Sequence, residues 1–304
     1  MTTPMDALKK RLHATLSAWD ASTPYEVMRR DWDALFGTQL QTARWERVCA
    51  GGVDAEWVAA PGAKPERVLL YLHGGGYVLG SVASHRGLIA RLSAAAGCRA
   101  LGINYRLAPE HPYPAAIEDA TAAYHWLLEQ GFEPRHIAIA GDSAGGGLAA
   151  TTLLALKGEG TPLPAAAVLL SPWIDLEGAG ASYESRKHVD PMVRRRQILV
   201  QREIYLAGKV GPQDPRVAPL HADLSRLPPL LIQVGDHESL LDDSRSLAER
   251  ARAAGVDVTL EVWDGMIHVF QLFADELEEG RRAIEEIGAF VRSRMPSIPG
   301  GRSG

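Results

Sequence analysis

The sequence predicts an α/β protein: a mostly parallel sheet of eight strands flanked by helices, with two helical segments lying outside the repeating pattern. Three observations carry this. Apolar runs of strand length alternate with helical patterns through most of the chain. The later runs are almost continuously apolar, as strands buried on both faces of a parallel sheet must be. Segments 4–37 and 179–225 have no place in that alternation.

Taken in order, residues 4–37 carry helical spacing, broken near Ser22-Thr23-Pro24, where Pro24 is placed to open a second helix. Eight strand-type runs follow: Arg47–Ala50, Ala55–Ala60, Val68–His73, Arg99–Tyr105, Ile137–Gly141, Ala166–Ser171, Leu230–Gly235 and Val258–Trp263. Helical patterns fall at about 84–96, 115–130, 144–157, 240–254 and 268–294. The 179–225 stretch separates two strands by far more than a crossover needs, and holds a helical pattern near 191–207 and a Pro-rich end. Insertions of that length in compact domains usually serve as lids or binding loops.

The bulk properties narrow the function classes. At 304 residues and 46% hydrophobic content, the chain can bury a sizeable core and is not globally disordered. A formal charge of −5 argues against nucleic acid or an anionic membrane as the main partner. The one dense basic run, Arg194-Arg195-Arg196, reads as a solvated helix face. The two cysteines, Cys49 and Cys98, form no CxxC and no metal spacing, so they read as small apolar residues in a reducing compartment. The first twenty residues show no apolar core of a secretory signal, and no apolar run reaches membrane-spanning length. A soluble, cytoplasmic protein is expected.

Three motifs sit at strand ends. The first, AGDSAGGG at 140–147, contains Gly141-Asp142-Ser143-Ala144-Gly145, a G-x-S-x-G at a strand-to-helix turn. Such a turn lifts the serine out of the sheet, and small neighbours let helix and strand pass closely. The serine would also lie beside a helix N-terminus, whose free N–H groups favour developing negative charge. Taken alone the motif is equally an ordinary glycine-rich turn. A nucleotide loop is disfavoured, since neither G-x-x-x-x-G-K-[ST] nor G-x-G-x-x-G occurs here. The second motif, YLHGGGYVLGS at 71–81, places three glycines at the end of a strand, leaving backbone N–H groups open to a ligand. In acyl transfer, Gly74 and Gly75 would hold the oxyanion together with Ala144, each such donor typically contributing about 10²–10³ in rate. A flexible turn explains the glycines too, but not their pairing with a later G-x-S-x-G. The third, EVWDGMIHVF at 261–270, places His268 after the last strand, at the start of the helical pattern 268–294. A lone histidine there is more often structural. Its position after a serine motif and an acidic loop gives the order serine, acid, histidine.

With these motifs the sequence resembles the hormone-sensitive-lipase family of bacterial esterases within the α/β-hydrolase fold. The resemblance covers nearly the whole chain from Val48 on. It rests on HGGGY at 73–77, NYRLAPEHPYPAAIEDA at 104–120, GDSAGG at 141–146 and the GMIHVF context of His268. It implies an α/β-hydrolase catalytic domain from 46–178 and 226–296. It also implies a cap made of residues 1–45 and the 179–225 insertion, with 297–304 left as a flexible tail. His73 is then expected to support its loop rather than act as a base. Asp142 is expected in a supporting role, Tyr77 at the pocket, and the 104–120 block in shaping the loop and helix beside the site.

The acid is chosen within QVGDHESLLDDS at 233–244. Ser239-Leu240-Leu241-Asp242 has the form of a helix start, so Asp242 and Asp243 fall in a first turn and complement the helix dipole. Asp236 and Glu238 remain. Asp236 follows Gly235 and suits an Asx turn. Glu238 stands further out with one more methylene of reach. The family commonly has an Asp-Pro-Leu-x-Asp block here; matching Leu240 and Asp242 to its Leu and final Asp puts Glu238 on the catalytic acid, with Ser239 in place of the proline. Glu replaces the usual Asp, and Asp236 stays as the alternative.

The expected function is therefore a serine carboxylesterase with Ser143 as nucleophile, His268 as base and Glu238 as acid. It needs no cofactor or metal, and the resemblance implies short- to medium-chain acyl esters. A lactone or amide hydrolase, or an acyltransferase, would use the same motifs. A non-catalytic small-molecule binding protein, as in the plant gibberellin receptor on this scaffold, is the reading from another class; the presence of serine, acid and histidine together disfavours it. The expected partner is a small-molecule ester. A homodimer through the edge strand, here Val258–Trp263, is what the family often shows.

Overall fold

The computed structural model describes residues 3–20, 22–37 and 42–295. The strands are β1 (Arg44–Ala50), β2 (Val53–Ala59), β3 (Lys64–Leu72), β4 (Cys98–Ile103), β5 (Ile137–Asp142), β6 (Ala166–Leu170), β7 (Leu230–Gly235) and β8 (Val258–Trp263). They form one eight-stranded sheet in the order β1-β2-β4-β3-β5-β6-β7-β8. The β1–β2 and β2–β4 pairings are antiparallel; every other pairing is parallel. This is the eight-stranded, mostly parallel sheet of the α/β-hydrolase fold.

The central strands carry near-continuous apolar runs because both faces are covered. Val68, Leu70 and Leu72 of β3 point into one core and Leu69 and Tyr71 into the other; Ile137 and Ile139 of β5 oppose Ala138 and Ala140 in the same way. The first face packs on α4 (Ala115–Glu129), α5 (Ala144–Glu159) and α8 (Leu241–Ala253), through residues such as Tyr124, Leu148 and Leu247. The second packs on α3 (Val82–Ala96) and α9 (Glu278–Arg294), through Leu88, Leu92, Ile284 and Ile287. Strand period two alternates the side chains between two helical layers, so no polar stripe is left.

The two segments outside the alternation are helical. Helix α1 (Pro4–Leu16) is capped by Thr3, which forms a reciprocal capping box with Asp6. Leu8 and Leu12 of α1 are fully buried. Pro24 is the N-cap of α2 (Tyr25–Phe36) rather than its first residue. Within 179–225 lie a single turn, α6 (Ser182–Ser185), and α7 (Arg195–Leu206). Arg194, Arg195 and Arg196 are exposed, but not all are merely solvated: the Arg194 guanidinium donates to the carbonyls of Asp190 and Val193, and that of Arg195 to Gly178 at 2.8 Å.

Two local expectations are corrected. His268 does not begin a long helix. Val269 has φ +48°, a left-handed conformation that stops a helix there, and only a short 3₁₀ turn (Phe270–Phe273) precedes α9. Ser239 does not cap α8; its hydroxyl donates instead to the Val193 carbonyl. The expected tail at 297–304 lies outside the described residues. Among the described residues no helix is long and apolar enough to cross a membrane.

Candidate active site

Ser143 stands between β5 and α5 with φ 52° and ψ −120°, a region a side-chain-bearing residue rarely occupies. Holding it there costs about 1–3 kcal/mol and needs support on both sides. The support is visible. Its N–H donates to Leu170 O at 2.8 Å, and its carbonyl accepts from Gly147 and Trp173 at 3.0 and 2.9 Å. The flanking glycines are sterically required: a Cβ on Gly141 would stand 2.2 Å from Gly145 O, and one on Gly145 would stand 2.0 Å from Leu72 O. The motif is therefore a steric solution to a serine turned out of the sheet edge.

The glycine loop after β3 is anchored by Asp142. Its Oδ1 accepts from the Tyr71 hydroxyl at 2.6 Å and the Gly74 N–H at 3.0 Å, and its Oδ2 lies 3.2 Å from His85 Nε2. Burial opposes the Asp142 charge, but His85 and these hydrogen bonds hold its pKa below the ordinary carboxylate value, and Asp142 in turn raises that of His85 against the same burial. The expectation that Gly74 donates to an oxyanion is corrected by this geometry, because its N–H is taken by Asp142. Gly75 and Gly76 line the cavity instead, and among the described residues neither N–H has a protein acceptor. Ala144 is the first residue of α5, where a helix N–H has no intrahelical partner.

His73 is buried and faces away from the cavity, its ring stacked on Tyr105 with centroids 4.2 Å apart and its Nδ1 2.9 Å from Gly74 O. Burial, then His85, push its pKa down to about 3, so it stays neutral. Tyr105 also donates its hydroxyl to His73 O at 2.7 Å, which places the start of the 104–120 block directly behind the glycine loop. Arg29 of α2 reaches the same region, donating to Val78 O and Ala108 O and pairing with Glu110. Tyr77 does not line the cavity. It stacks face to face on Tyr205 of α7, with centroids 3.8 Å apart, and braces the insertion against the loop.

On the other side, Glu238 Oε1 lies 3.1 Å from His268 Nδ1, while Oε2 accepts from the Ser171 hydroxyl at 2.8 Å and the Gly235 N–H at 2.9 Å. Glu238 is fully buried and His268 nearly so. Burial works against a charged His268, but the hydrogen bond and charge of Glu238 outweigh it, with Asp190 and Asp142 adding, so the pKa is held above the ordinary histidine value. Asp236 is turned elsewhere. It accepts the Gly265 N–H at 2.6 Å, tying the loop after β7 to the loop after β8 rather than closing an Asx turn.

Asp242 caps α6, accepting the Ser182 N–H at 2.8 Å. Asp243 is fully buried and accepts the N–H groups of Ile174 and Asp175 at 2.9 and 2.8 Å, with burial pushing its pKa up to about 8. Its place in the first turn of α8 is as expected, but its environment is not that of a surface dipole partner.

One cavity of about 60 Å³ is lined by Gly75, Gly76, Ser143 and His268 on the sheet side. Much of the rest of its wall comes from Leu16, Trp19 and Trp32 of the N-terminal segment and Met192, Val193, Arg194, Gln197, Ile198 and Gln201 of the insertion, with Trp173 also at its border. Gln201 lies against the glycine loop: a Cβ on Gly76 would stand 2.4 Å from its Cδ. Sequence reasoning missed His85, Ser171, Asp190 and Gln201. Ser171 alone carried a signal, since it ends a strand beside the acid's strand. Among the described residues no group of three or more His, Cys, Asp or Glu side chains is arranged to hold a metal ion.

Comparison with known proteins bears on the family and the fold. A family model described as the alpha/beta hydrolase fold matches residues 69–272. An acetyl-hydrolase of Streptomyces hygroscopicus is 52% identical over 246 residues, covering 81% of this chain and 82% of that protein. An esterase of Acinetobacter venetianus is 36% identical over 255 residues, covering 84% of each. The crystal structure of an esterase from the bacterial hormone-sensitive lipase family superposes with a TM-score of 0.93 at 48% identity, over 96% of this chain and 98% of that one.

Proposed function

For a chain that belongs to the bacterial hormone-sensitive-lipase family of α/β-hydrolases, and is a carboxylic ester hydrolase, we propose a serine mechanism on short acyl esters with Ser143, His268 and Glu238 as the triad. Ser143 Oγ attacks the ester carbonyl while His268 Nε2 takes its proton. Glu238 fixes the tautomer through Nδ1–H and stabilises the imidazolium. The oxyanion sits toward the N–H groups of Gly75, Gly76 and Ala144. As the tetrahedral species collapses, the C–O bond to the alcohol breaks and His268 returns the proton to that oxygen. Water, activated by the same histidine, then hydrolyses the acyl-enzyme.

The observation that carries this reading is a single cavity bordered by the strained serine and by a histidine whose far nitrogen is held by a buried carboxylate. The cavity volume of about 60 Å³ supports short acyl groups; an engineered apolar cavity that admits benzene measures about 150 Å³. We further propose that the N-terminal helices and the 179–225 insertion act together as a cap, supported by the wall residues that both contribute. The test is Ser143→Ala on p-nitrophenyl acetate. A folded variant with kcat reduced by about 10⁴–10⁶ is expected, and unchanged turnover would overturn the serine mechanism.

A further inference from the structure

Among the buried carboxylates of the described residues that the mechanism does not use, Asp190 alone bridges the cavity wall and the loop of Glu238. Asp190 belongs to the insertion and is 1% exposed. Its Oδ1 accepts the N–H groups of Met192 and Val193 at 2.8 and 2.9 Å, and its Oδ2 accepts the Ser239 N–H at 2.7 Å. Met192 and Val193 form part of the cavity wall, and Ser239 directly follows Glu238. A parallel tie joins the same two segments, since the Ser239 hydroxyl donates to Val193 O at 3.1 Å.

We propose that Asp190 is a positioning residue that locks the substrate-facing wall of the insertion to the loop carrying Glu238, so that wall and acid hold one shared geometry. The inference rests on the triad reading above. Its chemistry is specific to a carboxylate. Three N–H donors converge on two oxygens with no competing donor on the side chain, and hydrogen bonds to a charged acceptor are about twice as strong as neutral ones. An asparagine must turn its NH₂ toward either Ser239 or the Met192–Val193 pair, and so loses one segment or the other.

The charge also reaches the base. The charged and titratable groups around His268 are Glu238 on the loop after β7, Asp142 at the end of β5, Asp190 in the insertion and Arg194 at the start of α7, which also lines the cavity. Asp190 favours the imidazolium, so its neutralisation moves the acid limb of the rate profile to lower pH. That shift reads the charge of Asp190, while the fall in kcat reads its positioning role.

The experiment compares Asp190→Asn with the unmodified enzyme on p-nitrophenyl acetate, with circular dichroism as the folding check. Displacing a catalytic group by about 1 Å can cost about 10²-fold, so a fall in kcat of about 10–100-fold is expected, together with an acid limb shifted to lower pH. A folded Asp190→Asn with a lower melting temperature but unmoved kcat overturns the proposal, even where the acid limb moves. If that variant does not fold, Ser239→Ala decides, because it cuts the hydroxyl tie and leaves the carboxylate. A loss of about threefold or more in kcat supports the clasp, and unaltered kcat refutes it. Ser143→Ala is run alongside. If it retains turnover, the triad reading itself fails; if it is dead while the clasp variants are normal, only the role of Asp190 falls.

Discussion

Replacing Glu238 by glutamine changes one atom and a charge, and the structure dictates how the new amide must sit. Two donors, the Ser171 hydroxyl and the Gly235 N–H, converge on Oε2, while only His268 Nδ1 faces Oε1. The amide oxygen therefore takes the Oε2 place and the NH₂ turns toward His268. That forces Nδ1 to accept rather than donate, and puts the histidine proton on Nε2, where it cannot take one from Ser143. An equivalent acid-to-amide change in a serine protease costs about 10⁴ in kcat. We expect a loss near that value, because the one candidate replacement, Asp236, is committed to the Gly265 N–H at 2.6 Å. The acid limb should also move to lower pH, since the hydrogen bond and charge that raise the His268 pKa are lost. The assay is kcat on p-nitrophenyl acetate from pH 5 to 9, with circular dichroism to establish folding. Asp236→Asn serves as comparison and should lose less than about tenfold, since asparagine keeps the accepting oxygen. A near-normal Glu238→Gln beside a crippled Asp236→Asn would refute the assignment of the acid.

Under the proposed mechanism His268 must be neutral to act as base, so kcat/KM of the unmodified enzyme should rise with pH through a midpoint above about 6.5, the ordinary histidine value; a midpoint below that value contradicts the Glu238–His268 pairing. Asp243 should influence stability rather than turnover: with its pKa raised to about 8, the folded state keeps a proton that the unfolded chain has released, so stability should decline as pH rises from about 4 toward 8. Asp243→Asn should flatten that part of the profile, read as denaturant midpoint against pH, and an equally steep decline in the variant would contradict it. Gln201→Ala should open the cavity over Gly76 and raise the hexanoate-to-acetate ratio of kcat/KM by about tenfold; an unmoved ratio means that another residue limits chain length.

The sheet was legible because its inner strands carry compact apolar runs, such as Val68–Leu72 and Ile137–Ala140, which pack by period two into two helical layers. Helix ends were less legible. The stretch after His268 has the composition of an amphipathic helix, yet Phe270 and Phe273 bury into the core through a short turn, set by a left-handed Val269 that no local residue preference announces. In the site, residues within motifs were recoverable, but the direction of an N–H was not. Gly74 and Gly76 look alike in HGGG, and only the Asp142 carboxylate beneath the loop distinguishes them. Asp190, His85 and Gln201 were invisible for a related reason. Each acts across 40 or more positions of sequence on a partner from another segment, and neither spacing nor composition records such a meeting.

The cavity wall has one further consequence. Of the seven tryptophans, Trp19, Trp32 and Trp173 border the pocket, while Trp45, Trp57, Trp126 and Trp263 do not. Indole emission responds to local polarity and to contact with quenching groups, so the pocket carries a built-in optical label. Filling it with an acyl group or an alcohol changes the surroundings of half-buried Trp19 and Trp32 and adds a contact beside buried Trp173, while the other four serve as an internal reference. Substrate entry, and release of the acyl group in the proposed mechanism, are thereby open to stopped-flow fluorescence on the unlabelled protein, with esters that release no coloured product.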